Sequence, residues 1–213
     1  MNRITTVEVQ KRNKKRVNVF VDDEFAFACD AELIYKYNIK KDEFIDLEGI
    51  KNIIEEENFI QCRNSALKIV ERSYKTEKEI VEKLLVKGYD KKSIERAIDF
   101  LKEYNFINDK MYAEHYVNDK IKQQGKNKIY YTLIKKGISQ DYLKEKLDKV
   151  QTSTEREIAL ELCRKKYEIL SKRETDKYKI SQKLFRFLAA KGYDFDLINE
   201  IVKKIINLDN YLE

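Results

Sequence analysis

The strongest constraint on the fold is a Lys-Gly pair that recurs three times within one pattern of apolar residues. The pairs use three of the five glycines in this 213-residue chain, and they are Lys87-Gly88, Lys136-Gly137 and Lys191-Gly192. Counted from each glycine, apolar residues recur at the same six positions in every copy. They are, copy by copy, Ile80, Leu84, Tyr89, Ile94, Ile98 and Leu101; Ile129, Leu133, Ile138, Leu143, Leu147 and Val150; Leu184, Leu188, Tyr193, Ile198, Val202 and Ile205. This register indicates a protein built from three copies of one helical unit.

Each copy is predicted to contain two helices that meet at the glycine. The apolar positions on either side of the glycine are spaced by three or four residues, so each set lines one face of a helix. A glycine just past a helix end can close the helix in the left-handed conformation, and a neighbouring lysine suits the negative end of the helix dipole. The predicted structural residues of the repeat are therefore Gly88, Tyr89, Gly137, Ile138, Gly192 and Tyr193.

A third periodic segment precedes these two helices in each copy, so each unit should contain three helices. The units are expected at roughly 59–103, 108–150 and 153–207. Thr76 with Glu79, and Thr152 with Glu155, match the capping-box pattern at helix starts. Ser139 is predicted to cap the helix that follows the second Lys-Gly pair.

The N-terminal residues alternate between apolar and polar side chains, which is typical of strands. Residues 3–29 contain three such runs, separated by polar turns at 12–15 and 22–23. We therefore predict a small antiparallel β meander that packs on a helix after Asp30, with a second amphipathic stretch over about 46–58. The predicted domains are 1–58, 59–104, 105–151 and 152–213.

No pattern of residues in the chain points to catalysis or to a bound cofactor or metal. His115 is the single histidine, the three cysteines have no metal-ligand spacing, and Gly-rich phosphate loops are missing. The acidic residues at 22–24 fit a tight turn better than a cation site. We therefore expect a protein that is not an enzyme and has no cofactor. Scattered cysteines, and no apolar run that could span a bilayer, favour a cytoplasmic protein.

Basic residues cluster in the middle of a chain whose formal net charge is +6. Six lysines fall within seventeen residues with no acid between the first and the last: Lys120, Lys122, Lys126, Lys128, Lys135 and Lys136. Tyr130 and Tyr131 lie among them. Lysines can neutralise phosphates and tyrosines can stack on bases, although a lysine-rich helix face can also simply be solvated. Five further cations at 11–16 occupy a predicted turn, where they could touch an anionic partner or merely keep the turn soluble.

Two runs of residues within the first two copies form a combined pattern. The first runs from Ala66-Leu67 through Thr76-Glu77-Lys78-Glu79 to Lys87-Gly88-Tyr89 and Ile94. The second runs from Leu101 through Ile107-Asn108-Asp109, Tyr112-Ala113 and Gly125 to Lys136-Gly137-Ile138. Both runs resemble the RecX family of regulatory proteins, and the resemblance extends over 153–207 through the repeat register alone. The family pattern often has a glycine where this chain has Asn105.

Membership of this family would imply a mainly α-helical protein of tandem three-helix repeats that form an elongated, curved body, with the small β meander at its N-terminus. It would also imply a modulator, mainly an inhibitor, of the RecA recombinase that binds the RecA filament on single-stranded DNA. The candidate contacts to DNA or the filament are Lys120, Lys122, Lys126, Lys128, Tyr130, Lys135, Lys136, Arg72 and Lys87. We expect a monomer with no membrane partner.

Two other functions remain open at the level of sequence. The repeats could be helix-turn-helix-like units that bind DNA or RNA directly, in which case affinity for naked nucleic acid should depend steeply on salt. Alternatively, they could form a helical scaffold for some other protein.

Overall fold

The computed structural model describes residues 2–149 and 152–209, which contain ten helices and four strands. The chain divides into two compact units, Met1–Asn108 and Asp109–Glu213. The first unit holds the N-terminal sheet and the first helical copy. The second unit holds the other two copies.

The N-terminal segment forms an antiparallel sheet, which confirms the predicted meander. Its strands are β1 (Asn2–Val9), β2 (Arg16–Val21), β3 (Glu24–Asp30) and β4 (Phe44–Ile45). The order across the sheet is β3-β2-β1-β4. The β2–β3 turn is made by Asp22 and Asp23, which have positive φ angles of 50° and 65°. Strand β4 was missed in the sequence because two residues are too few to show an alternation.

Two helices cover the core of the sheet. Helix α1 (Ala31–Lys36) begins at Asp30, whose side chain accepts a hydrogen bond from the amide of Glu32. Helix α2 (Leu47–Arg72) contributes Ile54 to the same core. The predicted border at residue 58 lies inside α2, which serves both the sheet and the first helical copy.

Each copy contains three helices, as the register predicts. The first combines α2 with α3 (Glu77–Val86) and α4 (Lys91–Glu103); the second has α5 (Asp109–Lys120), α6 (Lys126–Lys135) and α7 (Gln140–Asp148); the third has α8 (Thr152–Ser171), α9 (Lys177–Lys191) and α10 (Phe195–Asp209). Apart from Val150, which lies outside the described residues, the aliphatic members of the register are buried. They form a separate core in each copy.

The repeat glycines close their helices in the predicted manner. Gly88, Gly137 and Gly192 have φ angles of 85°, 92° and 86°, a conformation that costs glycine little and other residues more. Asn105 adopts the same left-handed conformation after α4, with φ 56°. The asparagine therefore occupies the same backbone conformation as the three repeat glycines.

Of the predicted helix caps, the one at α3 forms as expected, the one at α7 does not, and the one at Thr152 lies outside the described side chains. Thr76 and Glu79 make both hydrogen bonds of the capping box. Ser139 occupies the cap position of α7, but among the described residues its side chain makes no capping hydrogen bond. Thr152 is the first residue inside α8 rather than its cap, and its side chain lies outside the described part. Glu155 instead accepts a hydrogen bond from the amide of Lys126.

Candidate functional site

A basic groove lies between α2 and α3 in the first unit. This α2–α3 groove has a volume of about 650 Å³. Its cations are Lys68, Arg72, Lys75, Lys83 and Lys87. Arg72 and Lys87, which are distant in sequence, are thus brought to one site. Sequence reasoning missed Lys68 and Lys83, although each lies four residues before one of the two predicted cations and so shares its helix face.

The two acidic residues of the α2–α3 groove already have cationic neighbours. Glu79 belongs to the capping box of α3 and lies 4.0 Å from Lys75, and Glu82 lies 3.9 Å from Lys78. Four exposed cations remain at the groove: Lys68, Arg72, Lys83 and Lys87. The groove therefore has the charge and the open shape to accept phosphate groups.

The lysine-rich stretch of the second copy divides into exposed and engaged side chains. Lys128, Tyr131 and Lys135 follow one another at spacings of three and four residues, which places them on one face of α6. Tyr131 is 63% exposed. Tyr130 packs half-buried against the core of the copy. Tyr131, rather than the predicted Tyr130, is therefore the better placed ring for stacking on a base.

Two of the predicted lysines make contacts with the third copy. Lys126 donates its amide to Glu155 at 2.9 Å, and its Nζ lies 3.7 Å from the same carboxylate. Nζ of Lys128 donates to the carbonyl of Ala190 at 2.9 Å. The acids and carbonyls that engage these lysines lie far along the chain, so the sequence alone could not show them.

The other four predicted lysines of this stretch differ in exposure and in their neighbours. Lys120 pairs with the neighbouring Asp119 at 2.7 Å. Nζ of Lys136 lies 5.3 Å from the centre of the Tyr112 ring. Lys122 and Lys135 are exposed. Within this stretch, Lys122, Lys128 and Lys135 are thus the exposed lysines, and Lys128 is also a structural contact.

The second and third copies meet at two glycines. Gly125 precedes α6, and its amide donates to the carbonyl of Lys191 at the end of α9 at 3.0 Å. A Cβ on Gly125 would lie 2.6 Å from the amide nitrogen of Tyr193, and one on Gly192 would lie 2.6 Å from the amide nitrogen of Lys128. The start of α6 therefore faces the end of α9, where their dipoles attract.

The β1–β2 hairpin contacts the equivalent corner of the first copy. Asn13 donates to the carbonyl of Lys87, and the side chain of Gln10 occupies the space that a Cβ on Gly88 would need. Arg16 lies at the base of this hairpin and is only 1% exposed, with its guanidinium 4.7 Å from the centre of the Tyr89 ring. The prediction that the five cations at 11–16 occupy a turn is therefore wrong for Arg16, which is the first residue of β2 and is buried.

Titratable groups offer little for catalysis within the described residues. Burial raises the pKa of Cys29 and Cys163 to about 11 and that of Cys62 to about 12, so these thiols stay protonated near neutral pH. His115 is exposed. The ranges 2–149 and 152–209 contain no group of three or more His, Cys, Asp or Glu side chains that could hold a metal ion. No helix in the same ranges is both long and apolar enough to cross a membrane.

Comparisons with protein families cover nearly the whole chain. Residues 2–46 match the regulatory protein RecX N-terminal domain. Residues 62–101, 108–147 and 154–202 match the first, second and third three-helix domains of RecX.

Relatives and solved structures agree with these matches. The chain is 57% identical over 213 residues to the regulatory protein RecX of Clostridium perfringens (strain 13 / Type A), with 100% of both chains covered. It is 51% identical over 211 residues to that of Clostridium botulinum (strain Eklund 17B / Type B), covering 99% of this chain and 100% of the relative.

Two crystal structures share the fold. A crystal structure of regulatory protein RecX has a TM-score of 0.63 at 23% identity and covers 96% of this chain and 100% of that chain. A crystal structure of RecX from Lactobacillus salivarius has a TM-score of 0.60 at 26% identity and covers 72% of this chain and 99% of that chain.

Proposed function

The chain belongs to the RecX family of regulatory proteins, and on that premise we propose that it regulates the RecA recombinase. It binds the RecA filament on single-stranded DNA and mainly inhibits it, acting by binding rather than by catalysis. The observation that carries this proposal is the complete and ordered set of RecX domains, from residue 2 to residue 202. We expect the protein to act as a monomer in the cytoplasm.

The α2–α3 groove and the exposed face of α6 are the proposed contacts to the filament. Both present cations at the surface, and the groove gathers four of them around one opening. Contacts of lysine and arginine with phosphates are largely independent of base sequence. This suits a regulator whose target is a filament on any single-stranded DNA.

The test is ATP hydrolysis by RecA on single-stranded DNA, with this protein titrated below the concentration of RecA. We expect inhibition at substoichiometric amounts, as for a ligand of filament grooves or ends. No inhibition at any amount would contradict the proposal. Inhibition only when the protein saturates the DNA would point to competition for the lattice.

The role of the groove is tested by reversing its charge. The double variant Arg72→Glu with Lys87→Glu should need about tenfold more protein for half-inhibition, because two phosphate-binding charges are inverted. Its matched control is Arg173→Glu with Lys172→Glu, which makes the same change on exposed residues near the end of α8. Equal loss in both variants would mean that net charge, not the groove, sets the affinity.

Direct binding to single-stranded DNA without RecA is the second candidate. The exposed cations of the α2–α3 groove favour it. Affinity for naked DNA, measured across a series of salt concentrations, should then be high and fall steeply as salt rises. Weak binding to naked DNA together with strong inhibition of RecA would leave the filament as the target.

A further inference from the structure

The first and third copies each contain a groove between their second and third helices. The α3–α4 groove has a volume of about 420 Å³. The α9–α10 groove has a volume of about 530 Å³. Counted from the repeat glycines Gly88 and Gly192, five lining positions correspond, so the two grooves occupy the same place in two copies of the unit.

The α3–α4 groove is lined by apolar side chains, of which Leu85 is the most open to solvent. Val81 and Leu85 are four residues apart on α3, and Ile94 and Ile98 are four apart on α4, so two apolar stripes face each other across the groove. Leu85 is 48% exposed, whereas Leu84 beside it is fully buried. On helix α3, Leu85 therefore extends the apolar surface beyond the core of its own copy, whereas Val81 packs partly buried against that core.

The rims of the two grooves carry opposite charge. Asp99 and Glu95 line the α3–α4 groove, where the third copy has Lys203 and Asn199. Glu77 lines the first groove as well and pairs with Lys102 at 2.8 Å. The first groove thus has three acids and one lysine on its rim, although the chain as a whole is positively charged.

We propose that the α3–α4 groove docks a basic amphipathic helix of a partner protein. An apolar stripe on such a helix fills the trough between α3 and α4, and its lysines or arginines meet Glu95 and Asp99 on the rim. The same rim repels phosphates, which excludes nucleic acid from this groove. The basic rim of the α9–α10 groove repels the same helix, so the docking is specific to the first copy.

This inference rests on the proposed function only to identify the protein that carries the helix. The test of the inference requires neither RecA nor DNA. The probe is a fluorescein-labelled synthetic helical peptide with leucines along one face and lysines flanking them. A second peptide has glutamate in place of every lysine. In fluorescence anisotropy with the full chain, the lysine peptide should bind and the glutamate peptide should not.

The decisive variant gives the first groove two residues of the third. Glu95→Asn with Asp99→Lys should weaken binding of the lysine peptide about tenfold or more, because attraction at the rim becomes repulsion. The control is Glu157→Asn with Glu168→Lys, an equal change of charge on exposed residues of α8, which should bind like the unmodified protein. Leu85→Ala should also weaken binding, since it removes part of the apolar floor.

Three results would overturn the proposal. The first is unchanged binding of the lysine peptide to the Glu95→Asn, Asp99→Lys variant, and the second is equal binding of the glutamate peptide to the unmodified protein. The third is self-association of the protein that only this variant abolishes, which would make a second copy the occupant. Circular dichroism establishes that each variant is folded. Peptide binding without any effect of the protein on RecA would refute only the proposed function. Inhibition of RecA without peptide binding would refute only the proposed role of the groove.

Discussion

Asn105 shows how one residue can depart from a family pattern and keep its structure. It is left-handed, and the amide of Phe106 donates to the carbonyl of Leu101 at 2.8 Å. The amide of Tyr89 makes the equivalent bond to Leu84 after Gly88. Asparagine tolerates this conformation better than most residues because its short polar side chain can hydrogen-bond locally.

Substitutions at Asn105 should therefore separate by how readily the new residue adopts a positive φ angle. Asn105→Gly should leave the free energy of unfolding nearly unchanged, because glycine adopts positive φ freely. Asn105→Val should lower it by about 1–2 kcal/mol, because a β-branched residue without a polar group has no local hydrogen bond to offset the cost of the left-handed conformation. Urea unfolding of the three proteins measures this. A fully stable valine variant would show that the turn can close in another way.

At the scale of helices, most of the fold could be predicted from the sequence. Every second and third helix of the repeat follows from the spacing around the glycines, since that spacing is a local property of the chain. The continuity of α2 through residue 58 could not be predicted, because the spacing of apolar residues along a helix does not show where the helix leaves one core and enters the next. The engagement of Lys126 and Lys128 depends on Glu155 and Ala190, which only the folded chain brings near.

The contact between α6 and α9 makes a prediction about Gly125. Gly125→Ala should lower the free energy of unfolding by about 1–3 kcal/mol, because its Cβ would collide with the backbone at Gly192 and Tyr193. Hydrogen exchange should show faster opening of α6 and α9 than of the sheet. Gly49→Ala is the control, since a Cβ there would meet only the side chain of Asp46. Equal effects at both positions would show that the close approach is not needed.

A charge reversal in the lysine-rich stretch would affect folding at some positions and only partner binding at others. Because Lys126 and Lys128 bind groups of the third copy, reversing them would disturb the second unit as well as any partner contact. Lys122 is exposed and is the cleaner position for testing a partner contact. How these lysines function in binding stays a prediction.

On the scale of the whole molecule, the N-terminal sheet and the first helical copy lie within one compact unit. Arg16 links them: its guanidinium donates to Asn58 on α2 and to the carbonyl of Ala28 on β3, both at 3.3 Å, and covers the ring of Tyr89. In the sequence, Arg16 falls among the cations of a predicted turn, and nothing in the composition indicates that one of these cations is buried.

Loss of Arg16 should therefore loosen the whole first unit. Arg16→Ala should lower the free energy of unfolding by on the order of 3 kcal/mol, since it removes buried hydrogen bonds and the contact with Tyr89 together. Arg12→Ala, at an exposed arginine of the same hairpin, should change it little. Urea unfolding compares them. A similar small effect for both would mean that the sheet and α2 hold together without Arg16.

Helix α3 separates the two grooves of the first unit. Lys83 and Lys87 lie on the side of the α2–α3 groove, and Val81 and Leu85 lie on the opposite side, beside the acidic rim of Asp99. The two sides of α3 therefore differ in charge. Near a polyanion, the basic side is attracted and the acidic rim is repelled, which favours approaches with the α2–α3 groove toward the strand. Under both proposals, the first contact would leave the α3–α4 groove free for a protein partner.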